Sequence, residues 1–188
     1  MENTRYGHAT LVKNQWKRGA LVIRTLPDWC MLTGIYTLCI LPRRSQYGRG
    51  RFFLLRVFYL YLCGVIAVTL MPVLCKLGNI SAYQYTVNLI PFTDFLHGWG
   101  NSERQLLLNV LLFLPFGVLL PNLTGWGVGL TLAAAVGASG CIELLQPFFD
   151  RRCDITDLIT NVIGGGCGYL LQMPLHGSVQ RLIKHMDK

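Results

Sequence analysis

Charge is what this chain has least of. Asp, Glu, Lys and Arg make up 14% of its 188 residues, against 52% hydrophobic; a soluble globular protein carries about 25% charged residues. The charges collect in short runs with long apolar stretches between them. That pattern excludes an ordinary soluble domain and gives an all-α, polytopic membrane helix bundle. Acids are scarcer than bases, 9 against 17. The resulting net charge of +8 reads as membrane topology, because arginines flank the apolar segments and no nucleic-acid motif accompanies them. The longest polar stretch, 76–104, is too short for a separate soluble catalytic domain. Internal repeats and low-complexity segments are lacking. The seven cysteines form no CxxC pair and no His/Cys spacing suits zinc, so no metal and no cofactor is expected. Cys30, Cys39, Cys63, Cys141 and Cys167 lie in apolar runs as small hydrophobes; Cys75 and Cys153 lie at span ends, where pairing is open to them but is not shown by the sequence. The basic N-terminus lacks a compact apolar region with a small-residue cleavage site, so no cleaved signal peptide is expected. No nucleophile motif occurs, and GWGVG at 125–129 is not a nucleotide fingerprint, because no strand precedes it.

What is present is a series of spans. Four segments, 52–75, 105–121, 125–149 and 155–173, approach the roughly 20 apolar residues a bilayer requires. A fifth segment, 20–42, contains Arg24, Pro27 and Asp28, and its uninterrupted apolar part, Trp29–Leu41, has only 13 residues. It suits an interfacial or re-entrant helix as well as a span, and the reading leans towards a span. The chain thus divides into a basic N-terminal extension, 1–51, a membrane core, 52–173, and a tail, 174–188, in which Val179, Leu182, Ile183 and Met186 have the spacing of a short surface helix. The run RRSQYGRGR before 52–75 puts that end in the cytoplasm. Alternation then places 76–104 and 150–154 outside, and 121–125 and the tail inside. Arg5, Lys13, Lys17 and Arg18 join the inner side if 20–42 does not span, and the outer side if it does.

This topology sorts the intramembrane polar residues by depth. Gln105 and Asn109 open one span, Glu143 and Gln146 close the next, and Asp154, Asp157 and Asn161 open the last. Three helices therefore carry polar groups at one level, and reversing the orientation would move the layer without scattering it. Within each helix the spacing gives one face: Ser139, Glu143 and Gln146; Asp154, Asp157 and Asn161; Gln105 and Asn109. Ionisable groups in membrane helices normally face the bundle interior or a wet cavity. A shared polar pocket opening to the outer surface is the economical arrangement.

Each residue also has a plainer role open to it. Asp154 is placed to cap a helix, with Asp157 three residues on. Asn109, Gln146 and Asn161 are suited to interhelical hydrogen bonds. Arg151 and Arg152 are rim anchors or counter-charges. Glu143, a carboxylate inside an apolar run, is the hardest to explain structurally. Gly164-xxx-Gly168 and Gly129-xxx-Ala133 permit close helix contact. Pro115 is expected to kink its span, and Ser102-Glu103-Arg104-Gln105 reads as a capping box.

The motifs NLIPF (88–92), NVLLFLPFGVLLP (109–121), IELLQ (142–146) and DITDLITNVIGG (154–165) resemble the VanZ-like family in order and spacing. The resemblance covers about 52–173. It implies a multi-pass cell-membrane protein of the kind found in Gram-positive bacteria, whose founding member is associated with teicoplanin resistance. Some members have a further C-terminal hydrophobic helix, where this chain has a polar tail. The family's recurring polar positions fall on Asn88, Asn109, Glu143, Gln146, Asp154, Asp157 and Asn161. The resemblance supplies no catalytic assignment.

Three functions follow. The first is a non-enzymatic resistance or envelope protein. Its outer pocket, comprising those seven residues with Arg151 and Arg152, would bind a lipid-linked cell-wall precursor or a lipidated glycopeptide. The second is an intramembrane enzyme acting on a lipid-linked head group, with Glu143 and Asp157 as acid and base, or with both holding a divalent cation beside Asn161. The third is a small proton-coupled transporter, which the one-sided layer and the lack of a repeat disfavour. The partners expected are the bilayer, such a precursor or drug, and a second copy through the glycine patterns; nucleic acid is not expected.

Overall fold

A computed structural model describes residues 24–71, 73–74, 86–149 and 151–187. The N-terminal bases and Cys75 lie outside the described residues. Helix α1 (24–35) continues as a π-turn, Tyr36–Ile40, and a 3-10 turn, Leu41–Ser45. There follow α2 (Arg49–Thr69), β1 (Val87–Asn88), α3 (Thr93–Leu96), α4 (Ser102–Thr124), α5 (Val128–Leu145) with a 3-10 turn at Gln146–Phe149, β2 (Cys153–Asp154) and α6 (Ile155–Met186).

Three helical segments, Arg49–Thr69, Ser102–Thr124 and Val128–Phe149, are long and apolar enough to cross a membrane. Their outward faces are greasy: Leu60, Val68, Leu107 and Leu130 are all more than half exposed. Such surfaces suit lipid better than water. The expected fourth span, 155–173, is helical but is not among the three. Its four glycines and its Thr156, Asp157, Thr160, Asn161 and Gln172 dilute the apolar character. Nor does that helix stop where a separate tail helix was expected: α6 runs unbroken through Pro174 for 32 residues, about 48 Å at 1.5 Å per residue.

The core is a seam between α4 and α6. A side chain at Gly117 would run into the backbone of Gly165, one at Gly164 into the carbonyl of Val110, and one at Gly168 into that of Leu114. Small residues let two membrane helices approach this closely. The other small-residue pair, Gly129 and Ala133, is not used in this way: a side chain at Gly129 would meet nothing within 4 Å among the described residues. Beside the seam pack Phe113, Phe116, Ala135 and Ile142, with the Phe113 and Phe116 rings 5.6 Å apart. Helix α4 continues through both Pro115 and Pro121. It ends at Gly125, whose φ of 76° is the left-handed cap that glycine adopts without strain. The expected capping box is not formed: Asn101 is the N-cap of α4, and it makes no side-chain capping bond.

The described part of the N-terminal segment, residues 24–45, lies antiparallel along α2. Asp28 reaches the chain beyond Thr69, Leu32 and Tyr36 meet Tyr59, and Arg44 stands beside Arg49. Asp28, which interrupts the apolar run in sequence, is 1% exposed and accepts the backbone N–H groups of Val73 and Leu74, both at 2.8 Å. Asp28→Ala orphans both donors and is expected to cost about 2–4 kcal/mol. Hydrogen exchange should then quicken in 24–45 while α4 and α6 stay protected; unchanged exchange in 24–45 would contradict this anchoring role.

Candidate functional site

The site forms where α5 ends and α6 begins. Pro147 has no N–H to continue the α-helical ladder, and α5 tightens into its 3-10 turn there. The chain then becomes extended at Cys153–Asp154 and pairs in parallel with Val87–Asn88, setting Asn88 opposite Asp154. This two-residue ladder joins segments far apart in sequence, beside the last turn of α5.

Three carboxylates and five amides gather here, most of them in small hydrogen-bonded groups. In the first, Glu143 is 3% exposed and its Oε2 accepts the Asp154 N–H at 2.9 Å. Asp154 is the N-cap of α6, accepting from the Thr156 N–H at 2.8 Å. It also accepts from Asn88 Nδ2 at 3.0 Å, so capping is only part of its role. In the second, Asp157 receives Gln105 Nε2 on both oxygens at 3.1 Å and Asn109 Nδ2 at 2.7 Å. The one-turn spacing of Gln105 and Asn109 delivers both donors from one face of α4. Deeper, Asn161 Nδ2 donates to the fully buried Ser139 at 2.9 Å. Gln146 is buried at the close of α5, and its carbonyl accepts the Arg151 N–H at 3.2 Å. Two acceptors in the layer, Glu143 Oε1 and Asn161 Oδ1, are buried with no hydrogen-bond partner among the described residues.

The arginines hydrogen-bond elsewhere, although Arg151 lies close enough for its charge to act on Glu143 and Asp157. Arg152 pairs with Asp94 at 2.8 Å, and Arg151 Nη2 donates to the Val68 carbonyl at 3.2 Å. Arg152 is thus a rim anchor at the mouth, and Arg151 ties that mouth to the end of α2. The mouth is a cleft lined by Phe92, Asp94, Phe95, Gln105, Asp154 and Asp157. Its free volume of about 20 Å³ is room for roughly one water molecule. Its wall carries three carboxylates, one of which, Asp94, is paired with Arg152, so it suits hydrogen-bond donors better than phosphate.

Sequence reasoning missed Thr156 and Asp94. The Thr156 hydroxyl accepts the Phe92 N–H at 2.9 Å and holds that residue at φ 59°. A bulky residue in the left-handed region is strained, and such strain concentrates where a structure is over-determined around a site. The only signal for Thr156 was its place between the two aspartates. Burial pushes the Cys153 thiol up, helped by the nearby Glu143 and Asp154 carboxylates, which makes it a poor thiolate nucleophile. Among the described residues, no three His, Cys, Asp or Glu side chains are grouped to hold a metal ion.

A family model described as VanZ/LLP1 matches residues 58–176. Protein VanZ of Enterococcus faecium is 36% identical over 115 residues, covering 60% of this chain and 68% of that protein. No solved structure matches the chain. The matched stretch contains the whole polar layer, from Asn88 to Asn161, and the glycine seam beneath it. With more than half its length matched by the family model, this chain belongs to the VanZ/LLP1 family.

Proposed function

We propose that this protein is a multi-pass cell-membrane protein that protects the envelope against teicoplanin-type glycopeptides without catalysing a reaction. The observation that supports this reading is the convergence of Asn88, Asn109, Glu143, Asp154 and Asp157, from four separated segments, at one end of an apolar bundle. Polar groups that are costly in a membrane are gathered there in two hydrogen-bonded groups, Asn88–Asp154–Glu143 and Asn109–Asp157. In this reading α6 supplies the fourth span through 155–173, and the layer faces the outer surface, the orientation that the basic residues around Arg49 favour.

The ligand is a lipid-linked cell-wall precursor or the lipidated drug itself, held near the membrane surface. The acidic cleft wall favours its sugar hydroxyl, amide or amine groups, with Phe92 and Phe95 against the less polar parts. A whole sugar is larger than the present cleft. Admission therefore displaces the turn around α3, where Gly98 and Gly100 take positive φ values of 66° and 63° and offer hinge points. The acid–base reading draws on Glu143 Oε1, buried without a hydrogen-bond partner among the described residues, but no nucleophile motif in the sequence supports it.

The test is teicoplanin susceptibility in a glycopeptide-sensitive Gram-positive host lacking its own homologue, expressing wild type or Asp157→Asn at matched membrane levels. The substitution turns an amide N–H₂ towards the donors of Gln105 and Asn109, disturbing the cleft wall but not the seam. Wild type should raise the inhibitory concentration. Asp157→Asn should lose most of that gain, as a weakening in apparent affinity of about tenfold would. Well-expressed wild type that gives no protection would overturn the resistance reading.

A further inference from the structure

Arg56 is a charged group that the polar layer leaves unexplained. It lies two turns inside α2, at the opposite end of the bundle from Asp154, and an arginine at that depth is costly unless it meets a partner or a wet cavity. Its guanidinium lies over the Phe52 ring, 5.8 Å from the centroid. It also stands where two cavities meet. One, of about 640 Å³, is lined by Tyr36, Arg44, Tyr47, Arg49 and Phe53 as well as Arg56. The other, of about 320 Å³, continues between α1 and α2 past Trp29, Leu32, Leu60 and Cys63. Tyr36 and Arg56 line both. No carboxylate among the described residues lines either one.

We propose that this groove binds an anionic phospholipid of the surrounding leaflet. The phosphate lies against Arg44, Arg49 and Arg56, and one acyl chain runs between α1 and α2. Guanidinium groups match phosphate oxygens in paired hydrogen bonds, and three of them with no acid in the lining leave a charge that phosphate complements. Tyrosines at the head and Trp29, Leu32 and Leu60 along the arm give the polar-to-apolar gradient of a lipid rather than that of a soluble anion. Basic pockets between membrane helices are known recognition sites for acidic lipids. The arginines and all of α1 precede residue 58, outside the stretch matched by the family model. The groove is therefore distinct from the polar layer, which lies within that stretch.

The test is native mass spectrometry of the full-length protein purified in detergent, titrated with phosphatidylglycerol or phosphatidylcholine. Wild type should retain phosphatidylglycerol about tenfold more tightly than phosphatidylcholine. Arg56→Gln should remove most of that preference and leave phosphatidylcholine unchanged. Arg181→Gln removes the same charge from an exposed position of α6 outside the groove and should change nothing. Should Arg56→Gln not be recovered folded, Arg44→Gln, exposed in the 3-10 turn, carries the same expectation. Equal retention of the two lipids by wild type would overturn the proposal. So would an Arg181→Gln effect matching that of Arg56→Gln, which would indicate diffuse surface attraction. Displacement of phosphatidylglycerol by inorganic phosphate would assign the groove to a soluble anion instead.

Discussion

Glu143→Gln should accumulate and melt like wild type while protecting the host less well, whereas Glu143→Ala should be clearly destabilised and less abundant. The difference follows from one hydrogen bond. Glu143 Oε2 accepts the buried Asp154 N–H at 2.9 Å, and a glutamine carbonyl oxygen can occupy the same place at nearly the same volume. Alanine leaves that N–H without an acceptor, at about 1–3 kcal/mol, and opens a cavity besides. It also loosens the N-cap of α6, because the Asp154 backbone that Glu143 holds carries the carboxylate capping Thr156. The sum, about 2–5 kcal/mol, is a large part of the 5–15 kcal/mol by which proteins are stable. Membrane abundance and thermal unfolding in detergent measure the structural effect, and glycopeptide susceptibility the functional one. Partial protection by a stable Glu143→Gln fits a binding role, and complete loss at normal abundance would favour the acid–base reading. A Glu143→Gln protein as unstable as Glu143→Ala would make Glu143 a structural residue.

The largest loss of stability is expected at Gly168. Its missing side chain faces the carbonyl of Leu114 across the α4–α6 seam, and Gly117 lies alongside. The obstacle is backbone, which cannot change rotamer to yield. Gly168→Leu must therefore push the two helices apart, at about 3 kcal/mol or more. Gly129→Ala is the matched control. A side chain there meets nothing within 4 Å among the described residues, and alanine is a better helix former than glycine by about 0.5–1 kcal/mol. Unfolding in detergent should show Gly168→Leu strongly destabilised and Gly129→Ala neutral or slightly more stable. Similar behaviour of the two variants would refute the seam.

These residues also indicate what a sequence can carry. Helical spacing and span order placed Asn109, Glu143, Asp154, Asp157 and Asn161 at one level, because both are local properties of a chain crossing an apolar slab. The cap at Asp154 was legible for the same reason. The ladder joining Asn88 to Asp154 was not, since two residues of parallel pairing leave no periodicity. The partners of Arg151 and Arg152 were equally hidden, because nothing local directs a long side chain to Val68 or Asp94. Gly164-xxx-Gly168 and Gly129-xxx-Ala133 look alike as strings, and only the placement of α4 distinguishes the pair that packs from the pair that does not. Asp28 looked like an interruption of a span because its donors, Val73 and Leu74, come from the far side of α2.

The glycine seam also determines which part of the molecule can give way. A joint made of backbone against backbone has no side-chain gears to slip, so α4 and α6 behave as one welded beam. Gln105, Asn109 and Asp157 are all mounted on that beam and keep their mutual spacing whatever arrives. The cleft consequently works as a vice with one fixed jaw. Movement is left to the opposite jaw, the Phe92–Gly100 turn, which reaches the beam through the Phe92–Thr156 bond and the Asp94–Arg152 pair.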